Sequence, residues 1–149
     1  MADYVPILTY IEEYWPRIVR HTPHRQGTLI GLPHPYLVPA DEAMFGEMYY
    51  WDSYFMAQGL VGTAHEDLIP GLAENLGSLY RRFGVIPNGS RFYFLSRSQP
   101  PFFTSLIWLA HEVLSRREPD RAAPFLAAPF AEPGGKGFPA TFAEGRPSG

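Results

Sequence analysis

From Glu66 to Arg82 the apolar residues keep one beat: Leu68, Leu72, Leu76 and Leu79 recur at three- and four-residue steps. Only a helix brings such positions onto one face, so the stretch predicts a helix with one buried stripe. Gly84 stands where a glycine just past the last turn would end it. The same period returns after Pro100-Pro101, a pair able to open a helix, in Phe103, Ile107, Ala110 and Leu114. Near the N-terminus, Ile7, Leu8, Ile11, Trp15, Ile18 and Val19 predict a helix over Asp3–Arg20, with Pro6 in an early turn and Pro16 as a kink or restart. A further helix is predicted from about Asp52 to Val61. Phe92-Tyr93-Phe94 could pass for a strand, but no partner strand is evident. The predicted fold class is all-α, with functional loops between helices.

At 149 residues the chain is one domain or part of one. Its 12 basic against 15 acidic side chains give no basic footprint, so no nucleic-acid partner is expected. It has no cysteine, which excludes disulfides and thiolate chemistry. His21, His24, His34, His65 and His111 form no metal pattern, and His111-Glu112 lacks a second histidine at Ser115. Gly134-Gly135-Lys136 is followed by Gly137 rather than Ser or Thr, so it is no phosphate-binding loop. No metal and no cofactor are expected. No apolar run approaches a membrane span of about 18 residues, so no membrane partner is expected. Met1-Ala2-Asp3-Tyr4 carries no basic start or apolar stretch of a signal peptide. The expected location is cytoplasmic.

Two regions break the helical pattern. Residues 21–44 form a long connector with Pro23, Gly27, Gly31, Pro33, Pro35 and Pro39. Its Leu29-Ile30, Leu32 and Tyr36-Leu37-Val38 predict a loop packed on a surface. After Arg117 the last 32 residues hold six Pro and five Gly, with no helical or strand period. The expected organisation is an ordered unit over residues 1–117 and an irregular Pro/Gly-rich tail over 118–149.

Chemistry concentrates in two segments, Met44–Phe55 and Ile86–Pro101. Six of the eleven residues from Phe45 to Phe55 are aromatic. Rings packed near a few polar groups suit a sugar, whose C–H faces lie on aromatics while its hydroxyls need donors and acceptors. Each residue also has a plainer local reading. Asp52-Ser53 reads as a helix N-cap, which is compatible with sugar binding. Tyr50, Tyr54, Trp51 and Phe55, at four-residue spacing, read as core pairs. Asn88-Gly89 reads as a turn. Asn88-Gly89-Ser90 also spells a glycosylation sequon, not expected to be used without export. Taken singly, Arg97 and Gln99 read as incidental loop residues.

Together, Glu47-Met-Tyr-Tyr-Trp-Asp-Ser-Tyr-Phe55 and Ile86-Pro-Asn-Gly-Ser-Arg91, continued by Leu95-Ser-Arg-Ser-Gln-Pro-Pro101, resemble the trehalase family of glycoside hydrolases. The likeness runs from about Val5 to about Leu114, with both motifs in the family's order. It implies part of an (α/α)6 barrel with a sugar pocket built from loops at one end. It implies hydrolysis of α,α-trehalose to glucose with inversion. By the same resemblance the sugar-contacting residues are Phe45, Trp51, Asp52, Asn88, Arg97, Ser98 and Gln99. These types suit the work: Asp52 can accept from two neighbouring hydroxyls, Arg97 offers a rigid fork of donors, and Asn88 and Gln99 both donate and accept. Trp51 and Phe45 supply apolar ring faces. Glu47 has no catalytic counterpart in the family and reads as structural.

Two departures stand out. The family's Pro-Gly-Gly-Arg-Phe is replaced by Pro39-Ala-Asp-Glu-Ala-Met-Phe45, two residues longer, with Met44 where a sugar-binding arginine would fall. The general acid and base, about 6.5–9.5 Å apart in an inverting glycosidase, belong to later parts of the family's sequence. No catalytic residue is therefore assigned. The expectation is a trehalase fragment holding part of the pocket and inactive alone. An α-glucosidase of the same barrel and a non-catalytic sugar-binding remnant remain open beside it. The expected partner is a disaccharide, trehalose or a related glucoside. Helix faces left uncovered would favour self-association.

Overall fold

The computed structural model describes residues 4–41 and 43–127. Its helices are α1 (Val5–Tyr14), α2 (Tyr50–Leu60), α3 (Leu68–Phe83), α4 (Phe103–Arg117) and α5 (Pro119–Ala127). Two short strands, β1 (Val19–Arg20) and β2 (Tyr36–Leu37), pair antiparallel with Val19 opposite Leu37. The all-α expectation stands.

The helix α3 lies at the centre, packed on α2, α4 and β2. Its stripe of Leu72, Leu76 and Leu79 is buried against Leu106, Ile107, Ala110 and Leu114 of α4. Each such leucine taken fully out of water contributes about 1.5–3 kcal/mol. Gly84 ends α3 as predicted. At φ +69° it takes the left-handed conformation, and its N–H donates to the Tyr80 carbonyl at 2.8 Å.

The long connector is packed rather than loose. Leu29, Ile30, Leu32, Tyr36, Leu37 and Val38 are all buried. Asn75, fully buried on α3, holds this segment down: its side chain accepts from the His34 N–H at 3.0 Å and donates to the His34 carbonyl at 3.0 Å. Gly31 lets two strands of the connector touch, since a Cβ there would stand 2.7 Å from the Pro23 carbonyl oxygen.

Two expectations need correction. The predicted helix over Asp3–Arg20 stops at Tyr14. Pro16 then sits in a tight 3₁₀ turn, Trp15–Ile18, and the chain leaves as β1. The apolar residues Val5, Ile7, Leu8 and Ile11 of α1 are exposed. Periodicity says which residues share a face, not what covers it. The tail expected to be irregular from residue 118 begins instead with α5, which buries Ala122 and Phe125 against the core. The two prolines at 119 and 124 suppressed the helical reading. Pro119 is tolerated because it stands at the first helical position, where its missing N–H costs nothing. Residues 128–149 of that expected tail lie outside the described residues.

Candidate functional site

The two motif segments meet at the N-terminus of α2. The last residue before the helix, Tyr49, is extended (φ −98°, ψ 147°), so the first helical amides belong to Tyr50, Trp51 and Asp52. The expected cap at Asp52 is thus three residues late for that job. A residue from the other motif caps instead: the Gln99 side-chain oxygen accepts from the Trp51 N–H at 2.9 Å. Its amide nitrogen donates to Asp52 Oδ2 at 3.4 Å. One glutamine therefore satisfies an orphan helix donor and orients the carboxylate beside it. Asp52, in the first turn, also sits where the helix dipole favours an anion.

Backbone bonds lace the segments together. Tyr50 N–H donates to the Asn88 carbonyl at 3.1 Å, and Ser90 N–H donates to the Met48 carbonyl at 2.8 Å. The buried Ser90 hydroxyl accepts from the Met48 N–H at 3.0 Å. The connector joins them: Ile30 N–H donates to the Ser90 carbonyl at 2.8 Å. Asn88 N–H donates to the Arg97 carbonyl at 2.9 Å, which closes the loop that carries both side chains. Phe92–Phe94, ambiguous in sequence, forms a 3₁₀ turn within this loop.

The expected site residues divide into three kinds. Trp51, Asp52 and Gln99 are in direct contact through the bonds above. Asn88 and Arg97 are joined through backbone, while their side-chain amide and guanidinium make no hydrogen bond among the described residues. The Arg97 guanidinium lies over the Phe94 ring, 4.8 Å from its centre. From there the rings run Phe94 to Tyr49 (6.0 Å) and Tyr49 to Phe45 (6.4 Å), which links Phe45 to the same face. Ser98 is engaged differently, since its hydroxyl donates to the Ile86 carbonyl at 2.7 Å and ties the loop ends together.

The core pairs expected on α2 are only partly core. Tyr50 is buried, and its hydroxyl accepts from the Phe103 N–H at 3.1 Å, fixing α4 to α2. Tyr54 stacks on Phe102 at 4.9 Å. Phe55, by contrast, is exposed, in edge contact with the exposed Trp51. Met44 is 70% exposed and brings no cation to the face.

Sequence reasoning passed over Arg91 and Ser90, both within the motifs, and read Glu47 as structural without naming its partners. Glu47 is buried; it accepts from the Tyr49 hydroxyl at 2.7 Å and from Arg91 Nε at 2.8 Å. Burial alone would raise its pKa, but the bonds from Tyr49 and Arg91 and the Arg91 charge outweigh that and hold it below the usual carboxylate range. Burial, and then the facing Glu47, push the Tyr49 phenol well above its ordinary value. A signal was available: a carboxylate among aromatic residues needs a partner, and Arg91 is the charged residue of the second motif's first half. Among the described residues no group of three His, Asp or Glu gathers as a metal site. No described helix is long and apolar enough to cross a membrane.

A helical scaffold thus brings an exposed tryptophan, a carboxylate and a glutamine to one helix N-terminus, with Asn88 and Arg97 tied to it through backbone. The sequence profile of the trehalase family matches residues 3–126. The chain belongs to the trehalase family. It is 41% identical over 124 residues to a periplasmic trehalase of Xanthomonas oryzae, covering 82% of this chain and 22% of the relative. It is 39% identical over 118 residues to a periplasmic trehalase of Pseudomonas aeruginosa, covering 78% of this chain and 21% of the relative. The solved neutral trehalase Nth1 of Saccharomyces cerevisiae superposes with a TM-score of 0.59 and 37% identity, over 65% of this chain and 17% of that one. The helices are thus part of the family's helical barrel, and the chain spans about a fifth of the length of these curated relatives.

These relatives overturn the cytoplasmic expectation, because they are periplasmic trehalases. That expectation rested on a missing leader in a sequence matching only a fifth of each relative, and such an absence carries no address.

Proposed function

We propose that this chain forms part of the glucose-binding wall of a periplasmic trehalase acting on α,α-trehalose. The observation that carries the reading is Gln99, which reaches from one motif to bond both the Trp51 amide and the Asp52 carboxylate of the other. In the proposed complex Asp52 accepts from sugar hydroxyls, Asn88 and Arg97 supply their unengaged donors, and Trp51 and Phe45 face the ring. Gln99 orients Asp52, and Ser98 holds the loop. The wall runs from about residue 3 to 127, the reach of the family match and of α5.

Hydrolysis with inversion needs an acid and a base across the anomeric carbon. The resemblance assigns neither to residues 1–149, so this chain by itself releases no glucose. The test is trehalose titration followed by Trp emission, alongside a glucose-release assay. Binding without turnover, weakened about tenfold or more by Asp52→Asn through loss of a charge-assisted bond, supports the proposal. Unchanged binding in that variant, or turnover by this chain, refutes it. A second reading, a related α-glucoside as substrate, draws on the exposed Met44 at the family's arginine position. A substrate panel separates the two. The exposed apolar residues of α1 support self-association, which sedimentation at rising concentration would reveal.

A further inference from the structure

We propose that Glu47 is a positioning residue whose buried carboxylate holds the two sugar-facing segments in register. The proposal rests on the sugar-wall reading for its functional meaning and on geometry for its mechanism. Glu47 is 4% exposed, and its two oxygens are divided between two partners. Oε1 accepts from the Tyr49 hydroxyl at 2.7 Å, and Oε2 accepts from Arg91 Nε at 2.8 Å. The Gly46 N–H adds a longer bond to Oε2 at 3.3 Å.

Each partner leads to a different part of the face. Arg91 extends to the connector, where Nη1 donates to Thr28 Oγ1 at 3.0 Å. Gly46 lies beside this arm, since a Cβ there would stand in contact with Arg91 Nη2 at 3.4 Å. Tyr49 extends to the aromatic row, against Phe45 on one side and Phe94 on the other. Phe94 carries the Arg97 guanidinium. Gly89 is pinched within this row, since a Cβ there would stand 3.1 Å from Phe94 and 3.3 Å from Tyr49. Movement of the Tyr49 ring therefore transmits to the turn bearing Asn88.

A carboxylate is the group this junction requires. Both partners are donors, and both oxygens accept. An amide of the same shape would turn its NH2 toward one of them and leave a buried donor facing a donor. Against burial, which would raise it, the Glu47 pKa is lowered by the bonds from Tyr49 and then Arg91, and the Arg91 pKa is raised chiefly by its bond to Glu47; both agree with a charged pair kept in this state.

The test compares the chain with its Glu47→Gln variant by residue-resolved hydrogen exchange and by trehalose titration. Exchange is expected to quicken at the Tyr50, Asn88 and Ser90 amides, which bridge the segments, and to stay unchanged at the core amides of α3 and α4. Trehalose affinity is expected to fall about tenfold or more, as misplaced contacts do. A uniform rise in exchange, no rise at all, or unaltered affinity would overturn the proposal. If the parent chain binds no trehalose, the sugar-wall reading fails, and the exchange pattern still decides the positioning role. Should Glu47→Gln not fold, Arg91→Lys, which keeps the charge and loses the fork, is read by the same exchange criterion.

Discussion

Replacing Ser90 by alanine removes one hydroxyl from the place where the two motifs cross. Ser90 is fully buried and Met48 is 1% exposed, so water cannot replace the bond that the Met48 N–H makes to Ser90 Oγ at 3.0 Å. The lost bond itself is worth about 0.5–1.5 kcal/mol net, and a stranded buried donor costs about 1–3 kcal/mol. These overlap rather than add, so the expected loss is about 2 kcal/mol. The backbone bonds of Ser90 to Met48 and Ile30 survive the change, which keeps the loss from being larger. Urea unfolding followed by Trp emission measures it. With a slope of about 1–3 kcal/mol/M for a small protein, the midpoint should fall by about 1 M while the slope stays constant. Hydrogen exchange at the Met48 amide should quicken more than the global loss explains. A change under about 0.5 kcal/mol, with Met48 still protected, would show that the junction does not depend on this hydroxyl.

Further outcomes follow from the same structure. Asn75→Ala should cost about 2–4 kcal/mol, because it strands the His34 N–H and carbonyl of the connector; urea midpoints at constant slope measure it, and a neutral result would mean the connector is held by its apolar residues. Glu47 has its pKa lowered from 4.5 in the folded state, so its contribution is fully present above that value and is lost as pH falls through the lower folded value. The stability of the chain should therefore decline on acidification more steeply than that of Glu47→Gln, and parallel curves of midpoint against pH would contradict the pairing with Arg91.

Much of the scaffold was written in local pattern. The leucine stripe of α3, the glycine that ends it and the buried positions of α4 obey periodicity and turn chemistry, which need no knowledge of the rest of the chain. The buried connector was legible for a similar reason: apolar clusters between prolines have to go somewhere. What failed was whatever depends on a partner distant in sequence. The periodicity of α1 predicted a helix but not what covers its face, and Val5, Ile7, Leu8 and Ile11 are exposed. The helix α5 was hidden by its prolines, because the packing of Ala122 and Phe125 is invisible until α4 is in place.

The candidate site shows the same division. Residue types and motif order, taken with the family likeness, pointed to Trp51, Asp52, Asn88, Arg97 and Gln99 as one set. Only the tertiary structure decided how they meet. It gave the cap of α2 to Gln99 rather than Asp52, tied Ser98 to Ile86, and placed a charged Glu47 beneath the aromatic row. The reason is physical. A side chain's donors and acceptors are properties of its sequence letter, whereas which of them remain unengaged depends on bonds across 12 to 48 residues of intervening chain.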